Sequence, residues 1–72
     1  MKNNLKAERV VRQLTQAQLA ECTGVSRQTI ISIEANRYIP SVLLSLKIAQ
    51  ALGRKVEDIF LLDESDLISM VG

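Results

Sequence analysis

The sequence predicts an all-α domain of five short helices, and three observations predict it. Apolar residues recur at helical spacing along most of the chain. No segment shows sustained apolar–polar alternation followed by a hairpin turn. Gly24, Pro40 and Gly53 then divide the chain into pieces of short-helix length.

Each element has its own local reason. The first helix is expected from about Leu5 to Gln13, capped by Asn3 or Asn4. Its apolar residues are Leu5, Ala7, Val10, Val11 and Leu14. The second starts at Thr15-Gln16-Ala17-Gln18, a capping box in which the Thr15 hydroxyl accepts from the Gln18 N–H and the Gln18 side chain reaches back. It is expected to bury Leu19, Ala20 and Thr23 and to stop at Gly24. The third helix follows a Ser26 cap and runs from Arg27 to Asn36, with Ile30, Ile33 and Glu34 on one face. The fourth begins at Ser41, after Pro40. Its Leu43, Leu44, Leu46, Ile48, Ala49, Ala51 and Leu52 spread over much of its circumference, the pattern of a helix in the middle of a core. Gly53 ends it, and a fifth helix of about Val56 to Phe60 closes the domain. Residues 61–72, with Leu61, Leu62, Leu67, Ile68, Met70 and Val71, suit a strand, a short helix or a frayed tail.

Composition narrows the function. Seventy-two residues make one domain at most, and a chain this short buries only about 60% of its unfolded surface. The aromatics are Tyr38 and Phe60, so the core must be aliphatic, and a small core without a covalent or metal staple favours oligomerisation. Cys22 is the single cysteine and histidine is absent, so neither an internal disulfide nor a thiolate–imidazole zinc site is expected. A small side chain near the core is the simplest role for Cys22. These features suit a reducing cytoplasm. No signal peptide follows Lys2, and no apolar run approaches the roughly 20 residues that span a bilayer. With no histidine, no nucleophile–base pair and no phosphate loop, neither enzymatic activity nor a cofactor is expected. Charge is uneven. Residues 1–55 hold all nine Lys and Arg against three Glu, a net of +6, whereas residues 56–72 carry −5. A basic body beside an acidic end is the asymmetry of a protein with one anion-facing surface.

Residues 16–35 read as one unit. Counting Gln16 as first, Ala20 is fifth, Gly24 ninth, Ile30 fifteenth and Ile33 eighteenth. Two helices joined by a tight turn need a small residue where they touch, Gly where φ is positive, and apolar anchors behind the second helix. The opposite face of that helix is then left for a partner. Rotation by 100° per residue puts Gln28, Ile31, Ser32 and Ala35 there, with Arg27 at the N-terminal end.

At these residues the sequence resembles the lambdoid repressor and Cro type of helix-turn-helix proteins, the XRE family. The resemblance runs through Leu14-Thr15-Gln16-Ala17-Gln18-Leu19-Ala20, Gly24-Val25-Ser26-Arg27-Gln28-Thr29-Ile30 and Ile33-Glu34. It continues through Asn36-Arg37-Tyr38-Ile39-Pro40-Ser41, Leu46-Lys47-Ile48-Ala49, Leu52-Gly53 and Val56-Glu57-Asp58-Ile59-Phe60, covering about residues 5 to 62. The compact form is similar to the short cytolysin-operon repressors. The resemblance implies a compact lambda-repressor-like domain over residues 1–62, with short terminal strands at a dimer seam and a tail over residues 63–72.

It also implies a double-stranded DNA partner, with the helix from Arg27 in the major groove. Arg27 and Gln28 are the expected base readers, since Arg pairs bidentately with guanine and Gln with adenine. Ser32 adds a hydrogen bond and Ile31 meets a thymine methyl. The family places a phosphate contact at Gln16. Asn36, Arg37 and Tyr38, in the loop after the reading helix, and Ser41, at the start of the fourth, are expected on the same backbone. The family further pairs an Arg on the first helix with a Glu late in the third, here Arg9 and Glu34. Glu8 departs from the pattern, which has an apolar residue there. The family's facing of the first helix leaves Val10 or Val11 partly exposed. A homodimer on a palindromic operator is expected, with Ile59, Phe60, Leu61 and Leu62 as the seam and residues 61–63 able to add strands. Ile59 and Phe60 also suit the monomer core. The function expected is a transcription regulator, a repressor. The alternative is an antitoxin-type protein that binds DNA through the same motif and a partner protein through its tail. A protein-interaction module without DNA binding is disfavoured by Gln16, Arg27, Gln28 and Arg37.

Overall fold

The computed structural model describes residues 1–71, with side chains through residue 68. The chain runs β1 (Lys2–Asn3), α1 (Leu5–Val11), α2 (Gln16–Thr23), α3 (Arg27–Glu34), α4 (Val42–Leu52), α5 (Val56–Ile59), β2 (Phe60–Leu61) and α6 (Glu64–Val71). It is mainly helical, with one small antiparallel ribbon that pairs Lys2 with Leu61 and Asn3 with Phe60.

Side-chain caps start α2, α3 and α4. Thr15 Oγ1 accepts from the Gln18 N–H at 3.0 Å, while Gln18 Oε1 accepts from the Thr15 N–H at 2.8 Å. Ser26 Oγ accepts from the Thr29 N–H, and Ser41 Oγ from the Leu44 N–H. Each cap satisfies a backbone donor that the helix itself leaves free. In α1 the acceptor is Asn3 Oδ1, which takes the Leu5 N–H at 3.1 Å, while Asn4 makes no side-chain cap.

The first four helices end alike. Among the described residues, Gln13, Gly24, Asn36 and Gly53 take left-handed backbone. In each case its N–H returns to the carbonyl three residues earlier. The next N–H returns five residues, as from Leu14 to Arg9, Val25 to Ala20, Arg37 to Ser32 and Arg54 to Ala49. This double closure satisfies carbonyls that the last helical turn exposes. It ends α1 at Val11 rather than near Gln13, and α3 at Glu34 rather than Asn36.

The core is aliphatic. Leu5, Leu19, Ala20, Ile30, Ile33, Leu44, Ile48, Ala49, Leu52, Ile59 and Phe60 form it, with Met1, Leu14, Val25 and Val56 packed at its edge. Leu5 and Arg9, one turn apart, set the inward face of α1, so Ala7, Val10 and Val11 all point outward. The apolar spread of α4 does not mean burial all round. Leu44, Ile48, Ala49 and Leu52 face in, whereas Val42 is 77% and Leu46 55% exposed, with Leu43 also outward. The fifth helix stops at Ile59 because Phe60 leaves it for the ribbon with β1. The strand therefore lies at Phe60–Leu61 rather than residues 61–63. Beyond it, Asp63 Oδ1 accepts from the Asp66 N–H, and Asp66 Oδ2 from the Asp63 N–H, a reciprocal box that opens α6.

Candidate nucleic-acid interface

Helices α2 and α3 are joined by the turn Gly24-Val25-Ser26. Gly24 sits at φ +73°, and Ala20 is buried where the helices meet. Ile30 and Ile33 anchor α3 in the core. This anchoring turns Arg27, Gln28 and Ala35 into solvent and leaves Ile31 and Ser32 half-buried along the same outward side. Gln28 Nε2 lies 3.5 Å from Ser32 Oγ, one turn along that face. Gln28 and Ser32 share a shallow hollow of about 210 Å³ with Thr29, Arg37 and Tyr38. The structure thus brings residues expected to read bases together with two expected to hold phosphate.

Arg27 belongs to a string of side chains that crosses three helices. Its Nη2 donates to Gln16 Oε1 at 3.3 Å, and Gln16 Nε2 donates to Glu34 Oε1 at 3.2 Å. Glu34 also receives Arg9: Nε to Oε2 at 2.7 Å and Nη2 to Oε1 at 3.2 Å. Arg9 Nη1 donates in addition to the Leu14 carbonyl at 2.8 Å. The Arg9 and Glu34 side chains are only 10% and 7% exposed. This forked pair fixes the end of α3 against α1, and Gln16 extends the fixing to the start of α3. Gln16 Nε2 spends one of its two N–H donors on Glu34, which leaves the other for a phosphate.

The other expected phosphate residues are spread over the α3–α4 loop. Asn36, Arg37 and Tyr38 are exposed, with Asn36 at φ +60°. Asn36 Oδ1 accepts from Asn3 Nδ2 at 2.8 Å. Ser41 uses its oxygen as the α4 cap, which leaves its hydroxyl proton to donate. Tyr38 and Ser41 line a second hollow of about 250 Å³ with Thr23, Gly24, Val25, Leu43, Leu44 and Lys47. Lys47 is an exposed cation that sequence reasoning left out. Its signal was available, since it falls on α4 less than two turns after Ser41.

Glu8, the residue out of pattern, is held by two cations. Arg12 Nη1 lies 3.3 Å and Arg54 Nε 2.9 Å from its Oε2. A carboxylate is tolerated there because α1 faces the C-terminal end of α4 through these ion pairs. Of the four expected seam residues, Ile59 is fully buried and Phe60 is 9% exposed, so both complete the monomer core, while Leu61 and Leu62 are exposed. At the far end, the Met1 ammonium lies 3.3 Å from Asp63 and 3.2 Å from Asp66. Its pKa is raised above 8.0, chiefly by the hydrogen bond to Asp66. The Asp63 carboxyl is held well below 3.8, chiefly by the Ser65 hydroxyl, then by the Asp66 N–H and the Met1 ammonium. Cys22 is an exposed free thiol. Among the described residues no group of three acidic, Cys or His side chains is placed to hold a metal, and no helix is long and apolar enough to cross a membrane.

A tight, capped two-helix turn whose second helix offers a polar outer face, flanked by loop cations, defines a helix-turn-helix nucleic-acid-binding module. The helix-turn-helix family model matches residues 5–59. An HTH-type transcriptional regulator of Methanocaldococcus jannaschii is 52% identical over 66 residues, covering 92% of this chain and all of that one. The immunity repressor of Bacillus phage phi105 is 46% identical over 55 residues, 76% of this chain and 38% of the repressor. The crystal structure of the restriction-modification controller protein C.AhdI from Aeromonas hydrophila superposes with a TM-score of 0.73 at 28% identity, covering 78% of this chain and 85% of that one. This chain belongs to the helix-turn-helix family, of XRE type, and is a DNA-binding transcription regulator.

Proposed function

We propose that the protein is a cytoplasmic, non-enzymatic repressor that binds a palindromic operator as a homodimer and reads the major groove with α3. The observation that carries this reading is the outward face of α3. Arg27, Gln28, Ile31 and Ser32 are presented there, and Gln28 and Ser32 share a hollow with Arg37 and Tyr38. Arg27 and Gln28 read base edges. Gln16, Asn36, Arg37, Tyr38 and Ser41 engage phosphates and set register, and Lys47 joins them. Similarity to an immunity repressor supports repression.

With Ile59 and Phe60 in the core, we look for the dimer seam on another exposed apolar face. Ile39, Val42, Leu43 and Leu46 are exposed apolar residues, beside a hollow of about 250 Å³ between Pro40, Val42, Ser45, Leu46 and Val56. We place the two-fold contact there, with Leu61 and Leu62 as the competing seam. Leu46→Asp should then yield monomers in sedimentation while Leu62→Asp leaves dimers; the reverse result moves the seam to the ribbon.

Selection of bound duplexes from a random pool tests the whole reading. A two-fold symmetric consensus is expected. Arg37→Ala should weaken all duplexes alike and flatten the salt dependence by about one counterion, whereas Gln28→Ala should relax one base position in each half-site. A featureless pool would refute sequence-specific recognition. A second reading, an antitoxin-type regulator whose tail grips a protein, is favoured by the exposure of Leu67 and Ile68 on α6. It requires a co-purifying partner that is lost when residues 63–72 are removed.

A further inference from the structure

Asn3 lies in β1, outside the two-helix motif, yet its amide is used at both ends. Its Oδ1 accepts from the Leu5 N–H at 3.1 Å. Its Nδ2 donates to the Ile33 carbonyl at 2.9 Å and to Asn36 Oδ1 at 2.8 Å. A backbone N–H only donates and a carbonyl only accepts. These two backbone groups therefore fix which way round the Asn3 amide lies, and with it which group faces Asn36. The Asn36 amide must offer its oxygen inward, so its Nδ2 points away from Asn3. Asn36 Nδ2 has no hydrogen-bond partner among the described residues. The direction matters because phosphate oxygens only accept. An Asn can hold a phosphate through its NH2 group and not through its oxygen.

Asn3 also braces the backbone around that amide. Its Nδ2 and the Asn36 N–H share the Ile33 carbonyl, at 2.9 Å and 3.0 Å. The left-handed turn at Asn36 that ends α3 and aims Arg37 is thus held from the N-terminal ribbon, itself paired to Phe60 and Leu61. The end of α3, the loop and β1 meet at this one side chain.

We propose that Asn3 is a positioning residue for DNA binding: it does not touch DNA, but it sets the polarity of the Asn36 amide so that a donor faces the phosphate backbone. The inference rests on the proposed phosphate contact of Asn36. Asn3→Asp separates the roles of the side chain. A carboxylate still caps the Leu5 N–H, and Asp is as good a cap as Asn. It cannot donate to Ile33 or Asn36, and it draws the Asn36 NH2 inward, turning an oxygen toward the phosphate.

The experiment is a double-mutant cycle of Asn3→Asp and Asn36→Gly, the latter keeping the left-handed backbone. Affinity for the duplex selected by the wild type is measured by fluorescence anisotropy, well below each variant's melting temperature. Asn3→Asp should lower affinity about tenfold or more with Asn36 present, but no more than about threefold in the Asn36→Gly background, where only the added charge and the lost bond to the Ile33 carbonyl act. Asn36→Gly alone should cost about fivefold and flatten the salt dependence by about one counterion. Equal losses from Asn3→Asp in the two backgrounds would overturn the positioning role while leaving the phosphate contact intact. An unchanged affinity for Asn36→Gly would overturn the phosphate contact and this inference with it. If Asn3→Asp does not fold, Asn3→Ser serves in the same cycle. Its hydroxyl retains the cap but is too short to reach Asn36, so the same dependence on Asn36 is expected.

Discussion

Replacing Arg9 by Met probes the contact on which the reading helix depends. The substitution keeps an unbranched apolar stem and removes the guanidinium. Three hydrogen bonds disappear: two to Glu34, at 2.7 Å and 3.2 Å, and one to the Leu14 carbonyl at 2.8 Å. The Glu34 side chain is 7% exposed, so its carboxylate would remain nearly dry with only Gln16 as donor. Breaking a buried pair on one side costs about 3–5 kcal/mol, mostly from the stranded charge. A domain of this size has only roughly 4–11 kcal/mol in all. The midpoint of thermal unfolding should fall by on the order of 15–30 °C. Urea unfolding followed by far-ultraviolet circular dichroism suits a chain without Trp, and the midpoint should drop with the slope unchanged. Arg9→Lys should recover only part of the loss, because an ammonium cannot fork onto both carboxylate oxygens. The double variant Arg9→Met/Glu34→Leu should recover most of it, since no charge is left stranded. A loss below about 1 kcal/mol for Arg9→Met, the level of an exposed pair, would mean that the Glu34 carboxylate is not stranded when Arg9 is removed.

Gly24→Ala meets no atom within 4 Å, so its cost is backbone strain at φ +73°: about 1–2 kcal/mol in chemical unfolding, without loss of fold. Ile30→Ala removes a fully buried anchor of α3 and should cost about 2–5 kcal/mol. The contact between the Met1 ammonium and α6 should be pH-dependent at both ends. The ammonium pKa is raised, so its contribution is whole below about 8.0 and is lost as pH climbs through the raised value. The Asp63 pKa is lowered, so its contribution is whole above about 3.8 and is lost as pH falls through the lowered value. Amide chemical shifts of residues 63–68 should therefore hold steady between those limits and move outside them; movement near pH 6 would contradict the assignment.

The helix starts and two of the helix ends were legible because single residues encode them locally. Thr15 with Gln18, Ser26 and Ser41 mark the starts, and Gly24 and Gly53 the ends. Asn36 adopts the same left-handed backbone and is the residue that does so most readily after Gly, whereas nothing in the local sequence announces it at Gln13. The double closure that ends α1 and α3 there uses backbone groups alone. The facing of α1 came from the family's Arg–Glu pairing, which turns Arg9 inward although the apolar set Ala7, Val10 and Val11 points the other way. On α4, apolar character at Val42, Leu43 and Leu46 reads the same whether a residue meets its own core or is left outside it. Phe60 leaves its helix because Asn3, far away in sequence, pairs with it. Asn3 itself carried only a local signal, that of a helix cap. Its bonds to Ile33 and Asn36 are tertiary and no periodicity contains them.

Specific binding by this protein turns on the outer face of α3 reading base edges in the major groove. Base analogues in the selected duplex test it directly. Replacing guanine by 7-deazaguanine deletes the major-groove N7 acceptor, whereas inosine deletes only the minor-groove amino group. At the guanine facing Arg27, the deaza substitution should weaken binding about tenfold and inosine should leave it nearly unchanged. Insensitivity to 7-deazaguanine at every guanine, or a larger loss with inosine, would contradict the placement of α3.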